Sequence, residues 1–467
     1  MLEITLDFDH GSGEPLYIQL YNFFKKDIQT GKIEPGEKLP SKRKLSHYLG
    51  ISQNTVETAY DQLLAEGYVE SEERKGIYVK ELNRDLFLHS NNAPKSTKVL
   101  VEEIVQYEVD FSHGEIALEH FPHSIWRRLT IQSLYEEESS YFLNGEPQGE
   151  LPLREAIAKY LYQSRGVRCS ANQIIIGAGT QYLIGVLTMI IGRDAIYSME
   201  DPGFHRTREA FKDQGVTLRS IPLDQDGVDI KHLFSSKANV TYVTPSHQFP
   251  NGMVMPIIRR MELLKWAEED GRYIIEDDYD GEFRYKGKPI PSLQGLDRNG
   301  KVIYLGTFSK SLIPSIRISF MVLPSSLLEK YKSHFTIYKQ TVSRLHQHTL
   351  SQFMINGHWE RHLNKMRTVY RKKQTALVQS IEKYMGQQAT IIGDDAGLHI
   401  LLSVQNQLSE KELIERAKAY KVQVYPTSVY YENNQPDREP MVLLGFGGLT
   451  EEQIKHGIRL LKEVWAI

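Results

Sequence analysis

The stretch that decides how this chain is interpreted is "GTFSKSLIPSIRISF", residues 306–320, which follows the apolar run "KVIYL". It places Lys310 among hydroxyl side chains just after a predicted strand, with Arg317 seven residues later. A lysine amine reacts with an aldehyde once its surroundings lower its pKa. A lone lysine in a loop is more often a solvated surface charge. The sequence therefore favours a reactive lysine only if the other groups of such a site occur elsewhere.

Further segments supply those groups. In "YIIEDDYDGEF", residues 273–283, Asp277 follows an apolar strand and can hold a proton on a ring nitrogen, and Tyr279 can bond a phenolic oxygen. In "IIIGAGTQYLIGVL", residues 174–187, a glycine-rich turn leads from a strand into a helix whose first amides suit a phosphate. Alone, the first segment also fits an ordinary acidic loop and the second an ordinary turn.

Together these groups match the needs of pyridoxal 5'-phosphate (PLP), which takes a lysine amine, a carboxylate at its ring nitrogen, phosphate donors and an aromatic face. The guanidinium of an arginine and nearby hydroxyl groups complete the predicted phosphate site. The predicted cofactor contacts are Lys310, Asp277, Tyr279, Arg317, Gly179, Thr180, Phe204, Thr307 and Ser309.

The segments between these motifs predict an α/β domain. Apolar strand-like runs such as "NVTYVTP" and "KVIYLGT" alternate with amphipathic stretches such as "RRMELLKWAEED". That rhythm is typical of a largely parallel sheet flanked by helices. We predict a large cofactor-binding domain over residues 111–345. Residues 346–467, with long helical segments and short strands, predict a smaller α+β domain.

The N-terminal part predicts a different fold. In "LPSKRKLSHYLGISQNTVETAYDQLLAEGYV", residues 39–69, two helical patterns are separated by the short turn "GIS", and an amphipathic helix precedes them over residues 15–31. The following "YVESEERKGIYV" predicts two short strands around a charged turn. A helix-turn-helix with a wing aims the start of its last helix at base edges, although a small helical interaction module shows the same pattern. The predicted DNA contacts are Lys42, Arg43, Ser52, Gln53, Asn54, Thr55, Lys75 and Gly76.

The rest of the composition limits the alternatives. We assign residues 1–81 to the winged helix and residues 82–110, a polar stretch without sustained periodicity, to a linker. The single cysteine, Cys169, and 16 scattered histidines without metal-ligand spacing argue against an intrachain disulfide and against a metal site. No long apolar run or signal pattern is present, which favours a cytoplasmic protein without membrane contact.

The N-terminal segments "PLYIQLY", residues 39–69 and "KGIYV" resemble a GntR-type winged helix. One departure is Gln53, where that family often has arginine. The segments "GAGTQ", "EDPGF", "IEDDYD" and "GTFSKSLIPSIRISF" occur in the order of a fold-type I aminotransferase, which residues 111–467 resemble. Both halves in one chain resemble the MocR/GabR subfamily of PLP-binding bacterial transcription factors.

That resemblance implies roles for particular residues. It implies that Lys310 forms the Schiff base with PLP, that Asp277 and Tyr279 contact the ring, and that Arg317 binds the phosphate. It also implies operator double-stranded DNA as a partner. A head-to-tail homodimer is implied as well, in which each winged helix rests on the partner's large domain.

Two departures from the aminotransferase pattern concern the effector. Where many aminotransferases read "NPTG", this chain reads "FPNG", with Phe249 at the asparagine position and His247 or Gln248 as possible substitutes. Where they have an arginine that clamps the substrate carboxylate, "LLGFGGLTEE" has Gly448. Arg206 remains as a possible anion contact, although a charge at a helix start also fits an ordinary surface.

The sequence thus predicts a transcriptional regulator whose aminotransferase-like domain serves as a sensor rather than an enzyme. We favour PLP itself as the effector, since the resembled group includes regulators of vitamin B6 synthesis. One alternative is a regulator that responds to an amino acid such as γ-aminobutyrate and uses PLP as its cofactor. The other is an active PLP-dependent aminotransferase.

Overall fold

The computed structural model describes residues 6, 8, 9, 11, 13–82, 106–135, 139–269, 271–287, 290–433 and 439–467. The chain divides into two compact units, residues 1–104 and residues 105–467. Most of the predicted linker lies outside the described residues.

The first unit is a three-helix bundle. Its helices are α1 (Leu16–Gln29), α2 (Lys42–Leu49) and α3 (Gln53–Ala65). The Ser41 hydroxyl caps α2, since it accepts a hydrogen bond from the backbone N–H of Lys44. Gly50 ends α2 in the left-handed conformation, at φ 65°, which lets the chain turn within two residues into α3.

The wing follows directly. Strands β1 (Val69–Glu72) and β2 (Gly76–Val79) pair antiparallel, with Val69 opposite Val79. The apolar faces of the helices and the wing form one core that includes Phe24, Tyr60 and Leu63. Leu64, which follows Leu63 in α3, is only half-buried and lies at the edge of the cluster.

The second unit is built on an eight-stranded mixed sheet in the order β4-β11-β10-β9-β8-β5-β6-β7. The central pairs β5–β6, β5–β8, β8–β9 and β9–β10 are parallel, whereas β4, β7 and β11 pair antiparallel. The strands are β4 (Ile174–Gly177), β5 (Ile196–Asp201), β6 (Thr217–Asp224), β7 (Gly227–Val228), β8 (Val240–Val243), β9 (Tyr273–Asp278), β10 (Val302–Thr307) and β11 (Ser319–Val322).

Helices cover this sheet and bury its apolar runs in separate clusters. Because the central strands are covered on both faces, β8 and most of β9 and β10 are buried along their length. The helices of this part are α4 (His123–Tyr135), α5 (Leu151–Arg165), α6 (Thr180–Ile191), α7 (His205–Asp213), α8 (Ile230–Ser235), α9 (Ile257–Trp266), α10 (Leu293–Leu296), α11 (Ser325–His334) and α12 (Arg344–Ile355). The predicted α/β architecture is confirmed.

The C-terminal part is a smaller α+β layer. A four-stranded sheet, in the order β12-β13-β16-β15, packs with the long helix α13 and with α14 and α15 around one apolar cluster. The elements are α13 (His358–Met385), β12 (Ala389–Ile392), β13 (His399–Val404), α14 (Glu410–Ala419), β14 (Val422–Gln423), β15 (Tyr425–Pro426), β16 (Met441–Gly445) and α15 (Glu451–Trp465).

Two predicted boundaries shift in the structure. Strand β3 (Val109–Asp110) lies at the end of the predicted linker, yet it pairs in parallel with β14, so these residues belong to the C-terminal layer. The predicted limit between residues 345 and 346 falls inside α12, whose Leu350 and Phe353 pack in the cluster of α5 and β4. Both differences arise from contacts between residues that are distant in the sequence, which the local sequence pattern does not indicate. Within the described ranges, no helix is long and apolar enough to cross a membrane.

Candidate cofactor site and DNA-binding surface

The predicted cofactor residues meet at one edge of the large sheet. Asp277 of β9 lies opposite Leu305 of β10 in a parallel pair, and Lys310 follows the end of β10 at Thr307. Since parallel strands end at the same edge of a sheet, this register brings the carboxylate and the lysine loop together.

Asp277 is buried, and only one of its two carboxylate oxygens has a hydrogen-bond partner among the described residues. The hydroxyl of Tyr242, on the neighbouring strand β8, donates a hydrogen bond to its Oδ2. Its Oδ1 is buried and has no hydrogen-bond partner among the described residues. Burial raises the pKa of Asp277 to about 7. A buried carboxylate oxygen that lacks a donor fits the N–H group of a protonated pyridine ring, so the chemistry of this position is compatible with the predicted cofactor.

Lys310 has the electrostatics of a reactive amine. Burial lowers its pKa to about 8, partly offset by the negative charges of Asp280 and Glu115, while the positive charge of Arg206 lowers it further. Gly114 lies beside the ammonium group, since a Cβ placed there would be 3.4 Å from Nζ. A lysine of this kind is partly neutral near neutral pH and can attack an aldehyde.

Three residues of the predicted phosphate site, Gly179, Thr180 and Arg317, lie together at the start of α6. Gly179 precedes the helix with φ 110°, a conformation that favours glycine, and a Cβ there would lie 2.2 Å from Nη2 of Arg317. The same Nη2 donates to the carbonyl oxygen of Ala178, at 3.2 Å. Thr180 is the first residue of α6, so the free amides of the helix N-terminus and the Arg317 guanidinium face one place.

The predicted hydroxyl donors have different surroundings. The Thr307 Oγ1 accepts hydrogen bonds from the Ser319 hydroxyl, at 2.8 Å, and from the backbone N–H of Ser309, at 3.2 Å. Thr307 therefore holds the shape of the loop that carries Lys310. Ser309 itself is half-buried next to that lysine.

Aromatic side chains crowd the predicted ring position. Phe204 stacks on Phe249, with ring centroids 4.0 Å apart and planes within 4°, and it meets the ring of Tyr279 edge-on at 4.9 Å. Phe249, the residue at the family's asparagine position, thus covers one face of Phe204. Phe249 offers no polar atom on its side chain, so it cannot make the contact that the asparagine makes in that pattern.

His247 and Gln248, the predicted substitutes, differ in what they contact. The Nδ1 of His247 lies 2.9 Å from the Tyr279 hydroxyl and 3.0 Å from an Asp280 oxygen, while its Nε2 is buried without a partner in the described part of the chain. The Gln248 amide nitrogen donates to the backbone oxygens of Pro202 and Phe249, at 2.9 and 2.6 Å. Gln248 therefore shapes the loop, and His247 is placed next to Tyr279.

Several polar residues of this site were not identified from the sequence. They are Tyr242, Asp280, Glu115 and two histidines, His113 and His399, whose rings lie 6.1 Å apart. Burial lowers the pKa of His113 to about 3 and also lowers that of His399, so both are neutral at neutral pH. Asp280 stands in the segment "IEDDYD", whose motif points to the site, whereas Tyr242 and Glu115 carry no local signal.

The position of the missing carboxylate clamp is closed. A Cβ at Gly448 would lie 2.7 Å from the Cβ of Glu115, an approach that side chains do not tolerate. The neighbouring Gly447 carbonyl accepts a hydrogen bond from the buried ammonium of Lys373, at 2.9 Å. Glu115 therefore stands where a longer side chain at position 448 would begin. Arg206 is exposed on α7.

In the first unit, four of the predicted DNA contacts, Ser52, Gln53, Asn54 and Thr55, lie at the start of α3. The Ser52 hydroxyl caps this helix by accepting from the Thr55 backbone N–H, at 3.1 Å, and it also lies 2.8 Å from the Thr55 hydroxyl. Gln53 and Asn54 are exposed in the first turn, as base or phosphate contacts require.

The cations near this helix are not equivalent. Arg43 is exposed, whereas Lys42 donates to Glu57 of α3, at 2.6 Å. In the wing, Lys75 pairs with Glu72, at 3.0 Å, and Gly76 has φ 130°, where glycine is favoured. Both lysines among the predicted contacts are thus already in ion pairs, whereas Arg43 is exposed and makes none with a described residue.

The comparisons with known proteins agree with both units. Residues 16–79 match the gntR family of bacterial regulatory proteins, and residues 107–461 match the aminotransferase class I and II family. A multiple substrate aminotransferase from Thermococcus profundus is 26% identical, with a TM-score of 0.69 over 82% of this chain and 98% of that one. Members of the aminotransferase class I and II fold family typically bind PLP.

Relatives over the whole length are named as regulators. An uncharacterized HTH-type transcriptional regulator of Bacillus subtilis, YdeL, is 46% identical over 100% of both chains. A probable rhizopine catabolism regulatory protein, MocR, of Rhizobium meliloti is 31% identical over 98% of this chain and 96% of its own. The pyridoxine biosynthesis regulator PdxR of Corynebacterium glutamicum is 28% identical over 94% and 93%. The chain therefore belongs to the MocR/GabR subfamily of GntR-type transcriptional regulators, with a winged helix joined to an aminotransferase-like domain.

Proposed function

We propose that this regulator binds PLP at Lys310, binds operator DNA through the start of α3, and responds to PLP as its effector. PLP, when bound, supplies an aldehyde for a lysine amine and a phosphate that anchors it. The observation that carries the choice of effector is the closed position at Gly448, where a side chain would collide with Glu115.

The residues of the chain would divide the binding of PLP among them. The Asp277 Oδ1 would accept a hydrogen bond from the protonated ring nitrogen and thereby gain the donor it lacks. Arg317 and the amides at the start of α6 would hold the phosphate. Lys310, with its lowered pKa, would provide the neutral amine, and Tyr279 would face the phenolic oxygen with His247 behind it.

An amino-acid effector needs its carboxylate held as well as its amine. Glu115 and Asp280 place negative charge near Lys310, and an arginine at position 448 is excluded by Glu115. Two carboxylates repel a third, and a missing bidentate arginine removes the strongest partner for it. PLP meets neither obstacle, because its phosphate goes to Arg317. The name of the relative PdxR, a pyridoxine biosynthesis regulator, agrees with this choice.

One observation favours a second candidate, an amino-acid sensor that uses PLP as cofactor. The charge of Arg206 acts on the pKa of both Lys310 and His113, so its guanidinium lies near the place where an amino acid on the cofactor would extend. In that case Arg206 would take over the role of the missing clamp. A third candidate, an active aminotransferase, is separated from both by turnover of an amino donor with a keto acid.

The regulatory step would be a population shift in a dimer. We propose a head-to-tail homodimer, in which PLP binds one arrangement of the two winged helices better than another. The test is to sequence the genomic fragments that the purified full-length protein retains with and without PLP. The proposal expects one enriched motif whose recovery depends on PLP. Recovery of the same fragments to the same extent in both states would contradict PLP as effector, and loss of enrichment in an Arg43→Ala variant would identify the DNA-binding surface.

A further inference from the structure

A second cavity in the described part of the second unit lies apart from the cofactor residues. It has a volume of about 500 Å³ and is bounded by the end of α5, the segment that follows β9 and the first half of α13. None of the predicted cofactor or effector residues lines it. Its lining is rich in guanidinium groups, which come from Arg165, Arg284, Arg367 and Arg371.

Two of these arginines lack a partner for their charge. The Nε of Arg284 is buried and has no hydrogen-bond acceptor within the described ranges. Arg371, one helical turn after Arg367 on α13, is exposed at the mouth of the cavity and makes no hydrogen bond and no ion pair with any described residue. Like charges at this spacing repel each other unless an anion lies between them. Arg367 donates to the Glu282 carbonyl oxygen, at 3.0 Å, and to Asn364, at 2.9 Å, which fixes its position at the cavity.

The acids in the cavity do not balance these cations. Arg165 is neutralised by Asp278, at 2.6 Å, and so adds no net charge. The Glu282 side chain accepts a hydrogen bond from Tyr160, at 3.0 Å, and burial raises its pKa to about 7, so it is partly neutral at neutral pH. The remaining acid, Glu360, is exposed at the start of α13. Positive charge is therefore in excess, with free N–H donors on at least two guanidinium groups.

We propose that this cavity is a binding site for a small phosphate-bearing molecule, separate from the cofactor site, with Arg284, Arg367 and Arg371 as its ligands. Guanidinium groups bind phosphate oxygens in pairs, and a phosphate dianion offers more acceptor oxygens and more charge than a carboxylate. Arg165, which lines this cavity, forms a buried ion pair with Asp278, the residue next to Asp277 in β9.

The test uses the full-length protein after borohydride treatment in the presence of PLP, which occupies Arg317 and leaves the second cavity open. Pyrophosphate and inorganic phosphate are titrated by calorimetry at constant ionic strength against the wild type and the double variant Arg367→Gln/Arg371→Gln. The control is Lys365→Gln/Lys372→Gln, which removes the same charge from exposed positions of α13 that do not line the cavity.

The proposal expects saturable binding with one site per chain, tighter for pyrophosphate than for phosphate. It expects a loss of at least about tenfold in the arginine variant and less than about twofold in the lysine control. Circular dichroism confirms that each variant is folded. An equal loss in both variants, or no saturable binding in the wild type, would overturn it. The cofactor proposal is judged separately, by whether borohydride fixes a pyridoxyl group on Lys310, so the failure of one is distinguishable from the failure of the other.

Discussion

Covalent capture of PLP by the apo-protein is expected to depend on pH in a way that reports the pKa of Lys310. Only the neutral amine attacks an aldehyde, and the pKa of about 8 results mainly from burial. The neutral fraction is then roughly one-tenth at pH 7 and roughly nine-tenths at pH 9. The rate should therefore rise about tenfold over this range and level off above it.

The charged residues around Lys310 should also shift the midpoint of this pH profile. The carboxylate of Glu115 raises the pKa of Lys310, so Glu115→Gln should move the midpoint of the profile to lower pH. Arg206 lowers that pKa, so Arg206→Gln should move the midpoint to higher pH. Glu329→Gln changes an exposed acid on α11 and should leave the midpoint unchanged.

The assay is stopped-flow absorbance of the visible band that forms when PLP joins the protein, measured from pH 6 to pH 10.5 in buffers of equal ionic strength. A rate that keeps rising to pH 10 and beyond would show an ordinary solvated lysine, because an unperturbed amine has a pKa of about 10.4. That result would refute the burial of Lys310 as the cause of its reactivity. Equal midpoints in all three variants would refute the assigned charges.

Three further sets of variants test the cofactor lysine, the DNA contacts and the closed position at Gly448. Lys310→Ala should abolish the pyridoxyl group that borohydride fixes on the wild type, as read by peptide mapping, and a label on another lysine would contradict the assignment. Arg43→Ala should weaken operator binding by roughly 1–3 kcal/mol if Arg43 contacts a base, and Lys42→Ala should weaken it by less because the Lys42 ammonium is already paired with Glu57. Fluorescence anisotropy measures both affinities, and equal losses would contradict the difference between the exposed and the paired cation. Gly448→Arg alone should not create amino-acid binding, whereas the double variant Gly448→Arg/Glu115→Gly should, because the second change removes the Cβ that blocks the arginine. Calorimetry with an amino-acid panel measures the binding, and binding in the single variant would contradict the steric argument.

Much of the architecture could be predicted from local pattern. The helix-turn-helix follows from Ser41, Gly50 and Ser52, whose capping and turn preferences act within a few residues. The α/β alternation likewise follows from apolar runs between amphipathic stretches. The pairing of β3 with β14 joins residues more than 300 positions apart, so no local pattern indicates it.

The same distinction applies to the site. Lys310 and Asp277 stand in short motifs that indicate their chemistry within a few residues, and the structure brings both to one edge of the sheet. The Tyr242 hydroxyl on Asp277 and the contact between Glu115 and Gly448 depend on how strands and loops meet in three dimensions. Sequence alone showed that an arginine was missing at Gly448, but the structure shows why one does not fit there.

The central claim is that PLP itself changes how this regulator binds DNA. The most direct measurement is a titration of a labelled operator fragment with apo-protein and with PLP-loaded protein, each with and without a panel of amino acids. The account predicts that PLP alone changes the operator affinity and that amino acids add little to the PLP-loaded form. Equal affinity of the apo and PLP-loaded forms, together with a shift caused by one amino acid, would contradict the account and identify an amino-acid sensor instead.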